Sequence, residues 1–313
     1  MLLEFQGLTK SYGGTVALDN LSFSVSSGVL FGFLGPNGAG KTTAMRTVLN
    51  LVALDRGEVL LDGVDVREHS SVKYGYLPEE RGLYPKMSVF DHLVYIARLH
   101  GIDRKEAEKR ANTMIEMLDI KPDGKSKVEA LSLGNQQRCQ IAATLIHDPE
   151  VLILDEPFSG LDPMSVDVIK ELLMERARQG RIVLFSSHQL EVVEDLCESV
   201  AIINNGHLVL NDTTEHITSL SERLVIQVRE DPEGTFLENV KEFKIVDKQN
   251  GVLHVKKTSD DINDDDLLRL GLACGTILRY DHERRSLAGV FREAIVRDNI
   301  EQELVLVQES VSG

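Results

Sequence analysis

The run Gly35-Pro36-Asn37-Gly38-Ala39-Gly40-Lys41-Thr42 satisfies G-x-x-x-x-G-K-[ST] at every required position. Glycines let backbone N–H groups converge on phosphate oxygens, and a helix starting at the end of the loop adds the positive end of its dipole. Lys41 can then reach the β- and γ-phosphates, and Thr42, with Thr43 beside it, offers a hydroxyl to Mg²⁺. That is chemistry for holding a nucleoside triphosphate. A second run, Val151-Leu152-Ile153-Leu154-Asp155-Glu156, is apolar and ends in two carboxylates. Asp155 would sit by the magnesium, and Glu156, one residue on, would polarise a water for in-line attack on the γ-phosphate. Between the two lies Leu131-Ser132-Leu133-Gly134-Asn135-Gln136-Gln137-Arg138, followed by an apolar helix. Ser132 and the amides around Gly134, at a helix N-terminus, make a second anion site.

These groups need elements to place them. The apolar run from Gly28 to Leu34 predicts a buried strand before the glycine loop, and Thr42 to Leu51 has apolar residues at helical spacing after it. Upstream, Leu2 to Phe5 and the alternating Leu21-Ser22-Phe23-Ser24-Val25 read as strands with turns, Gly13-Gly14 among them. From about 88 to 148 the pattern is mostly helical, with capping-box spacing at Ser88 and Asp91 and at Asp103 and Glu106. Beyond the two carboxylates, a helix over about Met164 to Gln179, a strand at Ile182 to Phe185, a helix over about Gln189 to Glu198 and a strand at Val200 to Ile203 resume an α/β alternation. The expected fold class is α/β, with an N-terminal β-subdomain and a helical insert at about 88–148. After about residue 214 the texture changes. Leu224 to Val228 and Val252 to Val255 alternate around a turn at Asn250-Gly251, and Asp264 to Leu272 and Ser286 to Arg297 are helical in spacing. Residues 1–214 are expected to form one domain and 215–313 a small α+β domain. The aspartates Asp260, Asp261, Asp264, Asp265 and Asp266 lack the glycine and terminal Glu of a calcium loop and read as a solvated helix start.

The chain of 313 residues has 34 Lys+Arg against 50 Asp+Glu, a formal net charge of −16. That balance argues against sequence-independent nucleic-acid binding and against direct insertion into anionic lipid, both of which need clustered basic residues. No apolar run is long enough to span a membrane, and Met1-Leu2-Leu3-Glu4 does not start like a signal peptide, so the expectation is a soluble protein that meets any membrane through a partner. Cys139, Cys197 and Cys274 match no metal spacing and suit a reducing compartment.

With its motifs in this order, the chain over residues 1 to about 214 resembles an ABC-transporter ATP-binding subunit, whose signature is matched by Leu131, Ser132, Gly134 and Gln137. The resemblance implies a P-loop NTPase core, with Gly35 to Thr43 and the signature residues Ser132, Gly134 and Gln137 contacting ATP. It implies Thr42, Asp155 and Glu79 around Mg²⁺, with Lys41, Glu156 and the switch histidine His188 as the catalytic group. Tyr12 matches the aromatic that stacks on adenine, and Ser159-Gly160-Leu161-Asp162 matches the D-loop, although Asp162 before Pro163 also reads as an ordinary helix cap. Two positions depart from the pattern: Glu79 stands where the family has its Q-loop glutamine, and Leu133 stands where the signature has glycine.

In such a family each signature meets the other subunit's phosphate loop, which implies a head-to-tail homodimer or heterodimer and membrane-spanning permease subunits. It also implies a cytoplasmic location, peripheral on the inner face of the cell membrane. The C-terminal region is similar to the accessory domain of some sodium-extrusion and drug-exporter ATPases, favouring export. The alternative is a soluble ABC ATPase of the translation or repair type, but the chain has neither tandem nucleotide domains, coiled coil nor zinc motif.

Overall fold

A computed structural model describes residues 1–69, 71–121, 125–219, 223–238, 240–259, 262–283 and 286–312. The first strands, β1 (Leu2–Tyr12) and β2 (Thr15–Ser26), pair antiparallel around the Gly13-Gly14 turn. Next come β3 (Leu30–Leu34), α1 (Lys41–Val48), β4 (Arg56–Leu61), β5 (Val64–Asp65) and β6 (Tyr74–Leu77). The helical insert supplies α2 (Val89–Leu99), α3 (Arg104–Met117) and α4 (Leu133–Leu145). Ser88 and Asp103 cap α2 and α3, each accepting from the N–H three residues on, as the sequence predicts. The alternation then resumes with β7 (Val151–Asp155), α5 (Pro163–Arg178), β8 (Ile182–Ser187), α6 (Leu190–Leu196), β9 (Ser199–Asn204) and β10 (His207–Thr213).

These strands make two sheets. One is antiparallel, in order β2-β1-β4-β5; the other, in order β10-β9-β3-β8-β7-β6, is parallel from β9 to β6 with β10 antiparallel at its edge. In β3, β7 and β8 every residue is buried, which explains why they read as unbroken apolar runs while β2 alternates. Phe23 of β2 joins the sheets: its ring stacks on Phe5 at 4.2 Å and meets Phe33 at 5.0 Å and Phe31 at 5.8 Å. Because that ring fills the space between two layers, Phe23→Ala should lower unfolding stability by about 3 to 5 kcal/mol, measured by denaturant titration.

The remainder contains α7 (Thr214–Ser219), β11 (Arg223–Val228), β12 (Phe243–Gln249), β13 (Val252–Lys257), α8 (Asp264–Cys274), β14 (Ile277–Glu283) and α9 (Leu287–Ser312). The strands form a third sheet in order β12-β13-β11-β14 over a core including Ile226, Leu253, Val255 and Leu267. Asn250 and Gly251, both at positive φ, make the β12–β13 turn. Asn263 caps α8, and Asp264, Asp265 and Asp266 fill its first turn; Asp260 and Asp261 lie outside the described residues.

The sequence reading placed residues 215–313 in one domain. By its contacts the chain instead divides into Met1–Thr213 with Ala294–Gly313, and Thr214–Glu293. Helical spacing identifies α9 but does not say which surface it covers. Its Asp298, Asn299 and Gln302 hydrogen-bond Asn204, Asn205 and His207, so this stretch belongs with the first unit.

Candidate ATP-binding site

The glycine loop joins β3 to α1 as the sequence predicts, and its shape requires glycine at both ends. A Cβ on Gly35 would come within 2.5 Å of the Ile203 carbonyl oxygen. Gly40 sits at φ 106°, and a Cβ there would come within 2.4 Å of the Ala17 carbonyl oxygen. Lys41, only 8% exposed, donates from Nζ to the carbonyls of Gly35 at 2.6 Å and Pro36 at 3.1 Å. Burial lowers its pKa, opposed by the negative charges of Glu156, Asp155 and Glu79. The negative charges that act on the lysine thus include Glu79 as well as the acids at the end of β7, Asp155 and Glu156.

Asp155 ends β7 and is 2% exposed. Its Oδ2 accepts from Thr42 Oγ1 at 2.8 Å and its Oδ1 from Ser186 Oγ at 2.6 Å. Ser186 Oγ also accepts the backbone N–H of Glu156 at 3.0 Å. Glu156 itself is at φ 53°, a left-handed conformation that costs free energy for any residue with a Cβ and must be held by its surroundings. Its side chain accepts from His188 Nδ1 at 2.8 Å.

Ser186 is the residue that reading the sequence missed. It stands beside His188 in Ser186-Ser187-His188, but only the adjacency of β7 and β8 shows that its hydroxyl fastens both acids. Ser186→Ala should lower steady-state ATP turnover by about tenfold, since supports of this kind orient the reacting groups; phosphate release measures it.

A correction concerns Gln137. It was expected to contact nucleotide, yet it is 5% exposed and turned inward, donating from Nε2 to the carbonyls of Pro157 at 3.0 Å and Glu156 at 3.5 Å. The cause is helical phase: Ser132 caps α4 and the N-terminal turn is solvent-facing, whereas Gln137, five residues on, falls on the buried side. Gln137 thus braces the backbone around Glu156.

Ser132 and Leu133 are exposed, Leu133 by 61%, and Gly134 is partly so. Ser132 Oγ accepts the Asn135 N–H at 3.4 Å. The hollow in front of this helix end, about 210 Å³, is lined by residues that include Asn135, Arg138 and Asp162 and by none from the glycine loop. Asp162 caps α5, accepting the Ser165 N–H at 2.9 Å, and the Ser165 hydrogen bonds hold its carboxyl below its ordinary pKa. Gly160 lies next to the signature, its carbonyl 3.5 Å from where a Cβ on Gly134 would be. Tyr12 ends β1, half exposed, with Lys10 Nζ 5.4 Å from its ring centroid. Tyr12 is also among the groups that act on Arg46 of α1, whose pKa is raised first by its hydrogen bond to Tyr76.

Among the described residues no group of three or more His, Cys, Asp or Glu side chains could hold a metal. Thr42 and Asp155 nevertheless suit Mg²⁺: both offer hard oxygen, 2.8 Å apart, and this cation completes its octahedron with phosphate and water.

The comparisons with known proteins agree with the geometry. Residues 18–159 match the family model described as ABC transporter. The chain is 38% identical over 302 residues to the uncharacterized ABC transporter ATP-binding protein YhaQ of Bacillus subtilis, covering 94% of this chain and 98% of the relative. It is 34% identical to the linearmycin resistance ATP-binding protein LnrL of the same organism, over 72% of this chain and 74% of that one. Among solved structures, an ATP-binding subunit of an ABC transporter superposes with a TM-score of 0.64 at 28% identity, covering 70% of this chain and 93% of that one. With its phosphate loop, paired acids and signature placed as above, this chain belongs to the ABC transporter ATP-binding family.

Proposed function

We propose that this chain is the ATP-hydrolysing motor of an exporter, in which two ATPase subunits close head to tail on two ATP molecules and separate membrane-spanning subunits turn that closure into transport. The observation that carries this reading is the split of the site. The loop, acids and histidine that act on the γ-phosphate are gathered around Lys41, while the anion-binding end of α4 opens onto a hollow containing none of the loop. A second subunit, identical or paralogous, supplies the missing half. No described helix is long and apolar enough to cross a membrane, so the pathway belongs to a permease partner, which would hold this subunit at the inner face of the cell membrane. Export is supported by the chain's similarity to the Nod factor export ATP-binding protein I of Ralstonia nicotianae, 36% identical over 66% of this chain and 66% of that one.

In the assembled site, the amides of Gly38 to Thr42 and Lys41 would cradle the β- and γ-phosphates, Thr43 would close the loop, and Tyr12 would stack on adenine. Thr42 and Asp155, with Glu79 near, would hold Mg²⁺, which supplies neutralisation of phosphate charge when bound. Glu156, oriented by His188 and by the Ser186 contact to its backbone, takes the proton of the attacking water.

The test is to purify tagged wild-type and Glu156→Gln chains from native membranes with ATP present. Recovery of a polytopic membrane protein by both, with ATP trapped by the variant, is expected. Recovery from the soluble fraction alone, with ribosomes or nucleic acid, would replace the exporter with a soluble ABC ATPase.

A further inference from the structure

The geometry points to Asp298, on the C-terminal helix α9, as a positioning residue for the phosphate loop. This rests on the ATPase reading of that loop and adds to it a control from outside the nucleotide site. Between β9 and β10 the chain reverses through Asn205 at φ 46° and Gly206 at φ 87°, a two-residue turn with both residues left-handed. The turn touches the phosphate loop directly. Gly206 donates its N–H to the Ala39 carbonyl at 3.0 Å and accepts the Asp19 N–H at 2.9 Å. The packing leaves no slack, since a Cβ on Gly206 would lie 2.9 Å from the Ala17 oxygen. Ala17 is the same residue whose carbonyl crowds Gly40 from the other side.

The outer side of this turn is clamped by α9. Asp298 Oδ2 accepts from Asn204 Nδ2 at 2.7 Å, and Asp298 Oδ1 accepts from His207 Nε2 at 2.7 Å. One carboxylate therefore grips the residues on both sides of the turn. Asn299 Oδ1 takes a second contact from Asn204 at 2.9 Å, and Gln302 Oε1 accepts from Asn205 at 3.0 Å. Gln302 Nε2 in turn donates to Asp298 Oδ2 at 2.7 Å, holding the carboxylate in place. Asn204 is only 3% exposed, so its amide has little access to water if the clamp is removed.

The consequence is a chain of hydrogen bonds from α9 through the turn to the Ala39 carbonyl, in the middle of the loop that must present its amides to phosphate. With the clamp in place, the turn is fixed and the loop is preorganised. Without it, the two left-handed residues relax and the Gly206 bond to the loop weakens. Binding of nucleotide then has to order the loop as well, which raises the ATP KM while leaving the groups that cleave the γ-phosphate unchanged.

The experiment measures ATP KM, kcat and the Kd of a fluorescent ATP analogue for wild type, Asp298→Ala and Asp298→Asn, with thermal melts of each. Asp298→Ala is expected to raise KM and Kd together by about three- to tenfold, with kcat within about twofold. Asp298→Asn keeps one carbonyl oxygen for Asn204 and should fall between. If Asp298→Ala does not fold, Gln302→Ala, which removes the contacts to Asn205 and to the Asp298 carboxylate but leaves Asp298 its bonds to Asn204 and His207, should raise KM in the same direction by a smaller factor. Variants that melt earlier but keep the wild-type KM and Kd would reduce Asp298 to a purely structural contact and overturn the proposal. A wild-type chain that binds no nucleotide would overturn the ATPase reading, and this one with it.

Discussion

Glu156→Gln is expected to lower ATP turnover by about 10²- to 10⁴-fold, the range lost when a general base is removed. The substitution is nearly isosteric, and an amide still accepts from His188 Nδ1, which lies 2.8 Å from the native carboxylate. The backbone bond from Glu156 N–H to Ser186 is untouched, so the left-handed residue keeps its place. What is lost is the ability to take a proton from water. Affinity for ATP should therefore be retained or rise, because one of the three acids facing Lys41 becomes neutral. Quench-flow phosphate release together with nucleotide retention on a filter separates the two effects. Turnover within about threefold of wild type would remove Glu156 from the base role.

The second large effect is at Lys41. Lys41→Met is expected to cost about 10²- to 10³-fold in kcat/KM, the usual loss for one preorganised charge on a transferring group. Nζ is satisfied by the Gly35 and Pro36 carbonyls, and in the proposed site it would exchange these for phosphate oxygens. Stability should move in the opposite direction. Burial lowers the Lys41 pKa below its ordinary 10.5, so the unfolded chain binds more protons there than the folded one in the window between the two values. Across that alkaline window the lysine makes stability rise with pH. Below it both states carry the proton and the full desolvation cost is present. Lys41→Met removes that cost and that slope, so its melting temperature at neutral pH should equal or exceed the wild-type value, read by calorimetry at several pH values.

How much was legible in the sequence depended on whether a feature was local. Ser88, Asp103 and Asn263 cap their helices because an N-cap needs only the residue and the N–H groups just beyond it. The strands β3, β7 and β8 were visible as apolar runs because both their faces are covered. The strands β4, β5 and β12 were not singled out, since short or solvent-facing strands give weak period-two patterns. At the site, Lys41, Thr42, Asp155, Glu156 and His188 were all named from motifs, and the structure groups them.

Sequence alone determined the family, the phosphate loop and the identity of the acids, because these rest on residue types at short fixed spacing that follows from strand–loop–helix geometry. Tertiary structure decided the rest. It turned Gln137 from a nucleotide contact into a brace behind Glu156, because a helix buries one face and spacing alone does not say which. It brought Ser186 to both acids, because neighbouring strands in a parallel sheet set residues side by side that lie about 30 positions apart in the chain. And it moved the end of α9 from the small domain to the ATPase unit, because which surface a helix covers is settled by the partners of its polar groups, here Asn204, Asn205 and His207.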